Sequence, residues 1–152
     1  MSRFARVALA SALLAATGCG GTPGPAAIAA HRDEADKFAL GQVSKILEAW
    51  NGGSPGKAPA KPADFAKFQN DYPVGYGMLK EGEVVFFYGA PVQAGASDTV
   101  LAYRRTTPDS GGFVLMQDGS TIKRMTPEEF RSARKAGKPP AAAPPRATGS
   151  LP

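Results

Sequence analysis

The chain has 152 residues, and its 18 Lys and Arg against 13 Asp and Glu give a formal net charge of +5. It contains one cysteine and one histidine, which excludes a disulfide framework and a zinc site made of several Cys and His ligands. Its 18 glycines and 14 prolines cluster in a few segments, which is typical of tethers, loops and tails between folded parts.

The N-terminal segment has the pattern of an export signal. Two arginines give it positive charge, and the apolar run at 7–16 (VALASALLAA) is too short to span a bilayer as a helix. Small residues then precede Cys19, the single cysteine of the chain. We therefore predict that residues 1–18 are a signal peptide that is cleaved, and that the mature protein lies outside the cytoplasm.

The end of this segment, Ala16-Thr17-Gly18-Cys19, resembles the lipobox of bacterial lipoproteins. The resemblance implies that a diacylglycerol alkylates the Cys19 thiol, that signal peptidase cuts between Gly18 and Cys19, and that the new amino group is acylated. Ala16 stands where the family most often has Leu. The alternative is ordinary secretory cleavage with a free Cys19 thiol, although a lone free thiol is unusual in an oxidising compartment.

A lipid-modified Cys19 makes the membrane the expected partner. Two or three acyl chains make release negligible, because each buried methylene adds about 0.8 kcal/mol. Gly20 rather than Asp follows the cysteine, so the family resemblance implies the outer membrane, facing the periplasm, in a bacterium with two membranes. Export argues against nucleic acid as a partner. The basic C-terminal part either only solvates the protein or contacts an envelope protein or cell-wall polymer.

Residues 28–50 predict an amphipathic helix. Apolar residues recur there at spacings of three and four, which gives a stripe that faces a core. The stripe consists of Ala35, Ala39, Val43, Ile46 and Trp50, with Phe38 and Leu47 beside it. Asn51-Gly52-Gly53 is a stop signal, since Asn and Gly tolerate the left-handed backbone of a helix C-terminus. We interpret Gly41 as a point of close packing against a sheet.

A second, short helix is predicted at 62–71, and extended segments follow it. These are 83–89, 99–104, 112–117 and 121–125, which are rich in β-branched and aromatic residues. The Asp118-Gly119 pair predicts a hairpin with a type I′ turn, which requires positive φ at both central residues. A closing helix begins at Thr126, because Thr126 and Glu129 have the spacing of a capping box.

These elements predict an α+β fold in which a long N-terminal amphipathic helix packs on a small antiparallel sheet of three to four strands, followed by a short closing helix. After the signal peptide we expect a lipidated tether at 19–27, a single small α+β domain at 28–135 and a Pro- and Ala-rich tail at 136–152. The tail is nearly free of large apolar residues, so we expect it to be disordered, like the tether.

The order of elements resembles the globular head of type IV pilin-like proteins and pseudopilins over roughly residues 28–130. A helix that reaches Trp50-Asn51-Gly52 is followed by a Pro-rich loop, a short helix and a sheet with a late Asp-Gly-Ser turn at 118–120. The resemblance implies a similar head fold. This chain has a lipobox where those proteins have a prepilin cleavage site and a long apolar assembly helix.

The sequence offers no catalytic constellation, and we predict no enzymatic activity, no metal and no cofactor. His31 is the single histidine and lies beside Arg32 near the tether, which is typical of a surface residue, and no nucleophile motif accompanies it. Asp98, Asp109 and Asp118 fall in predicted loops and have oxygens that suit Ca²⁺. Their spacing does not match a calcium loop, so we interpret them as turn residues.

Phe86 and Phe87 are neighbours in a predicted strand and therefore point to opposite faces of the sheet. The long helix covers one face, so the other needs a cover from the Pro-rich loop, a partner protein, or the side chains of Tyr72, Tyr76 and Met78.

We predict a non-enzymatic interaction or structural role at the membrane surface. The alternatives left open are a pilin-like secretion component and an envelope enzyme accessory that uses acidic loop residues.

Overall fold

The computed structural model describes residues 24–137. The predicted signal peptide, the predicted lipobox with Cys19, most of the predicted tether and residues 138–152 of the predicted tail therefore lie outside the described residues. In chain order the elements are α1 (Pro25–Gly53), a 3₁₀ helix (Pro62–Phe68), α2 (Pro73–Lys80), β1 (Val84–Phe86), β2 (Thr99–Arg104), α3 (Thr107–Ser110), β3 (Gly112–Met116), β4 (Ile122–Met125), α4 (Pro127–Ser132) and β5 (Arg134–Lys135). This confirms the predicted α+β fold.

The sheet is an antiparallel meander of β1 to β4, in which each strand pairs with the next along the chain. The fifth strand, β5, was not predicted. It runs parallel to β2, with Thr99 opposite Arg134 and Val100 opposite Lys135. Ala136, which we assigned to the tail, extends this pairing because its N–H donates to the Val100 carbonyl. Two residues are too few to give a strand pattern in the sequence.

The long helix α1 lies across the sheet, but its buried face differs from the predicted stripe. Ala35 is exposed and Phe38 is 58 % exposed, whereas Asp36 and Leu40 are buried. Within residues 28–53 the first buried residue of α1 is Asp36, but Asp33 already lies 3.0 Å from Arg124 of β4, so only the first turns of α1, before Asp33, project from the domain. No helix within residues 24–137 is both long and apolar enough to span a membrane.

Both ends of α1 also differ from the prediction of 28–50. The helix begins at Pro25, which suits a first helical position, and residues 51–53 continue it instead of ending it. The C-cap is Ser54, whose N–H donates to the Trp50 carbonyl. Neither Gly52 nor Gly53 has the positive φ that we expected at a glycine stop.

The glycine that marks a close approach lies in α2 and not, as we expected, in α1. A Cβ built on Gly41 meets nothing within 4 Å, so the predicted close packing at this residue is wrong. The close approach is at Gly75 of α2, where a Cβ would lie 2.8 Å from the Gln42 Cβ. The Gly75 N–H also donates to Gln42 Oε1 at 2.8 Å. Gly75 therefore fixes how closely α2 lies on α1.

The segment before β1 contains two helices instead of one. The helix predicted at 62–71 is a 3₁₀ helix that ends at Phe68, and α2 follows it at Pro73. We did not predict α2, because Gly75 and Gly77 both lower its helix propensity. Asp64 stabilises the start of the 3₁₀ helix by accepting hydrogen bonds from the N–H groups of Ala60 and Lys61.

Phe86 and Phe87 lie on opposite faces of the sheet, as predicted, and both are only 1 % exposed. On one face Phe86 packs near Phe65, with ring centroids 5.8 Å apart. On the other face Phe87 packs against Tyr103, which in turn contacts Phe130 of α4 at 4.7 Å. The cover that we assigned to a loop, a partner protein, or Tyr72, Tyr76 and Met78 is therefore the closing helix.

The turn between β3 and β4 forms at Asp118-Gly119, but its predicted type is wrong. Gly119 has a φ of 77°, and no described residue other than glycine has a positive φ, so Asp118 cannot occupy a type I′ turn. The Gly119 N–H donates to the Met116 carbonyl at 3.0 Å. A type I turn followed by a left-handed glycine fits this geometry.

The capping box at the start of α4 is confirmed. The Glu129 N–H donates to Thr126 Oγ1 at 3.2 Å, and the Thr126 N–H donates to Glu129 Oε2 at 2.7 Å. These two bonds satisfy N–H groups that a helix start otherwise leaves without partners. The capping box therefore fixes where α4 begins, and Phe130 sits within its first turn.

The burial of Phe87 gives a direct stability test. Phe87→Ala removes a ring from the closed space between the sheet and α4, so we expect it to lower the free energy of unfolding by about 3–5 kcal/mol. The control is Phe38→Ala on the exposed face of α1, with an expected change within about 0.5 kcal/mol. Urea unfolding followed by circular dichroism measures both. Equal losses of unfolding free energy in the two variants would contradict the burial of Phe87 and the exposure of Phe38.

Candidate interaction surface

The polar residues that we considered for chemistry are not gathered into a site. Within residues 24–137, no group of three or more His, Cys, Asp and Glu side chains could hold a metal ion. His31 is exposed on the projecting part of α1. Asp98 accepts a hydrogen bond from Thr99 and lies 3.5 Å from Arg134, and Asp109 lies in the first turn of α3. The absence of activity, metal and cofactor stays a prediction.

Asp118 serves the β3–β4 turn. Its carboxylate accepts hydrogen bonds from the N–H groups of Ser120, at 3.0 Å, and Thr121, at 2.8 Å, and from the Thr121 hydroxyl. Partial burial by itself raises the pKa of Asp118, but these hydrogen bonds and the nearby Lys123 cation together bring the pKa below its ordinary value. The carboxylate oxygens are thus occupied by the turn, which agrees with our interpretation of Asp118 as a turn residue.

A small charged cluster connects α1 to the sheet. Arg104 Nε of β2 lies 2.8 Å from Asp36 Oδ1, and both side chains are mostly buried. The Nε–H group of Arg104 makes no hydrogen bond, so its contact with Asp36 is an ion pair alone. Glu83 lies 2.8 Å from Arg105 and 3.6 Å from Arg104. Because each carboxylate faces a guanidinium, the cluster holds α1 against the end of β2.

The outer face of α1 carries the exposed apolar surface that the packing of the domain does not explain. Three large apolar side chains are exposed among the described residues: Ile28, Phe38 and Val74. Beside Phe38 is a shallow open depression of about 590 Å³ that crosses α1 at Gly41. Tyr72 and Ile122 form its apolar edges, and Glu34, Lys37, Lys45 and Asp71 supply charges of both signs.

Sequence reasoning missed this surface because it assigned Phe38 to the core. On a helical wheel Phe38 is one position, or about 100°, away from Ala39, and Ala39 is fully buried. The sequence signal that could have revealed this surface is the helical spacing of Glu34, Gly41 and Lys45 around Phe38, because none of the three is a large apolar residue. A second depression, of about 430 Å³, lies against Gly77 and Lys80 of α2, but no exposed aromatic accompanies it.

The ion pair between α1 and β2 leads to a prediction. Asp36→Ala leaves the Arg104 guanidinium mostly buried beside Glu83 alone, so we expect it to lower the free energy of unfolding by about 3 kcal/mol. Replacing both partners, Asp36→Leu with Arg104→Met, removes the charges together and should cost markedly less. Chemical unfolding of these two variants and the unchanged chain tests this. A double variant less stable than Asp36→Ala would contradict the assigned pairing.

The turn carboxylate gives a pH prediction. Because folding lowers the pKa of Asp118 below its ordinary 3.8, its contribution to stability is present above that pH and is lost as the pH falls through the lowered folded-state value. Thr121→Val removes the hydroxyl donor, so the pKa should rise, as measured by carbon NMR titration. Ser120→Ala is the control, since Ser120 donates through its N–H. An unchanged pKa in Thr121→Val would overturn the role given to the hydroxyl.

No protein-family model, no curated protein and no solved structure matches this chain. The role of the outer face of α1 therefore rests on the properties of its own residues. They offer an exposed aromatic ring, an open depression and balanced charge, which suit binding more than they suit bond-making chemistry.

Proposed function

We propose that the protein is a lipid-anchored component of a bacterial envelope, with its small α+β domain in a non-enzymatic interaction or structural role. The observation that carries this proposal is the export signal that ends at Ala16-Thr17-Gly18-Cys19. Cys19 lies shortly before Gly24, where the described chain begins. At no more than about 3.6 Å per residue, an anchor at Cys19 is within roughly 20 Å of the start of α1.

The packing of the domain supports an interaction role over catalysis. Asp36 and Glu83 face arginines, and Asp118 is occupied by its turn. The aromatic pair Phe86 and Phe87, the candidate ligand or partner face in the sequence, is enclosed on both sides of the sheet. Two of the three large apolar side chains that are exposed among the described residues, Ile28 and Phe38, lie on α1, the element that follows the predicted tether.

A pilin-like secretion component is the second candidate. The shared arrangement is a long helix packed on an antiparallel sheet, which α1 and β1 to β4 provide. In that family the projecting part of the helix is apolar and drives assembly, whereas here it carries His31 and Arg32 exposed to solvent. An envelope enzyme accessory is the third candidate, and it requires acidic residues that converge on one pocket.

The proposal also includes a contact made by the basic C-terminal part of the chain. Arg134 is paired with Asp98, and Arg131 with Glu128, but both arginine side chains are more than 60 % exposed. Cations so exposed remain available to an anionic envelope protein or cell-wall polymer. In a bacterium with two membranes, we place the protein in the outer membrane, facing the periplasm.

Intact-mass analysis of the protein purified from bacterial membranes tests the anchor. We expect a chain that begins at Cys19 and carries acyl groups, because the lipobox directs both modification and cleavage. The matched variant Cys19→Ala removes the thiol and should lose the added mass and membrane retention. An unmodified Cys19 on a secreted protein would reject the lipoprotein proposal and direct attention to a free thiol.

A further inference from the structure

The outer face of α1 has the spacing of a helix–helix contact. Six solvent-facing positions follow one another at intervals of three and four residues. They are His31, Glu34, Phe38, Gly41, Lys45 and Glu48, which we call the outer seam. The four central positions fall within about 60° of the helix circumference. No described element covers this strip, because α2 and β4 lie to either side of it.

We propose that the outer seam binds the outer seam of a second copy of this chain, with the two helices antiparallel and a two-fold axis passing between residues 39 and 40. In this arrangement, positions at equal distances on opposite sides of the axis face each other. Phe38 then faces Gly41 of the second copy, and Glu34 faces Lys45. The contact is isologous, so each such pair occurs twice.

The shape of the seam is complementary to itself. Gly41 has open space where a Cβ would lie, and the depression above it is bordered by Tyr72 and Ile122. Phe38 projects beside that depression with 58 % of its surface exposed. A glycine inside a helix lowers stability relative to alanine, and the monomer shows no contact that requires Gly41. Insertion of the Phe38 ring of a second copy beside Gly41 would bury that ring and fill the open space.

The charges of the seam distinguish the antiparallel from the parallel arrangement. Antiparallel pairing places Glu34 opposite Lys45, and one turn farther out it places His31 opposite Glu48. Parallel pairing in register places Glu34 against Glu34 and Lys45 against Lys45, which is unfavourable. Within one copy, Lys45 Nζ lies 2.7 Å from Glu48 Oε2, and both side chains are more than 60 % exposed. Lys45 can therefore exchange this surface partner for Glu34 at small cost.

The expected affinity is low in dilute solution, because each copy contributes one large aromatic side chain to the seam. Attachment of both copies to one membrane would raise their effective concentration. The inference goes beyond the proposed envelope role and does not require it, since the seam consists of described residues of α1. Its test is therefore designed so that a failed anchor and a failed seam give different results.

The test is chemical cross-linking between two differently tagged full-length chains produced in the same cells. One carries Glu34→Cys and the other Lys45→Cys, and the membranes are treated with a short bismaleimide. We expect a mixed dimer whose yield is at least tenfold above that of cells with either variant alone. Lys57→Cys replaces Lys45→Cys in the control, because Lys57 is exposed on a loop away from the seam.

Two glycine variants separate binding from stability. Gly41→Gln fills the depression, so we expect at least a tenfold loss of the mixed cross-link together with a higher unfolding temperature of the chain. Gly77→Gln is the matched control, since Gly77 also lies in a helix with open space around its missing Cβ but faces another depression. It should leave the cross-link unchanged. Phe38→Ala should abolish the cross-link as Gly41→Gln does.

Four results would overturn the proposal. They are a mixed yield no higher than the Lys57→Cys control, equal yields from Glu34→Cys alone, an unchanged cross-link in Gly41→Gln, and a product whose mass shows a different protein at the seam. A cross-link in the chain without introduced cysteines comes from Cys19 and reports a failed anchor. In that case the comparison is repeated with Cys19→Ala, and the seam is decided independently.

Discussion

Large apolar side chains occupy both faces of the sheet, and a sheet of this kind is stable only when each face is covered. α1 and the 3₁₀ helix cover the face that carries Phe86, and α4 covers the face that carries Phe87. A helix of six residues, Pro127–Ser132, can do this because its capping box fixes its start and β5 returns the chain to β2 directly after it. The closing helix is consequently part of the core.

The polar interior follows from the same arrangement. α1 crosses the sheet where Arg104 emerges from β2, and Asp36 on α1 neutralises that cation at 2.8 Å. These side chains hold α1 on the sheet. The outer face of α1 around Phe38 is not covered by the described part of the domain. This is why we propose a binding role at this face, close to the proposed anchor.

The sequence predicted the elements whose signal is local and periodic. The long helix, the strands and the Thr126–Glu129 capping box depend on spacing or on one short pattern, and each is present. The errors have tertiary causes. Phe38 is exposed although we placed it beside the buried stripe, because Asp36 and Leu40 face the sheet instead and the angle at which α1 crosses the sheet cannot be obtained from spacing. β5 exists only through its pairing with β2. The resemblance to a lipobox is a property of the sequence alone and stays a prediction, whereas the outer face of α1 could be found only from the packing.

The unbroken course of α1 has a mechanical consequence. The helix runs from Pro25 into the core without a hinge, and its first buried residue within 28–53 is Asp36. From Pro25 to Asp33, which pairs with Arg124 of β4, the helix is a stiff segment of roughly 12 Å. Rotation of the start of α1 turns the sheet by the same angle, whereas the flexible tether that we expect before Pro25 would let α1 tilt against a membrane. For an anchored protein, the tilt of α1 against the bilayer would thus set which surfaces of the domain its neighbours can reach.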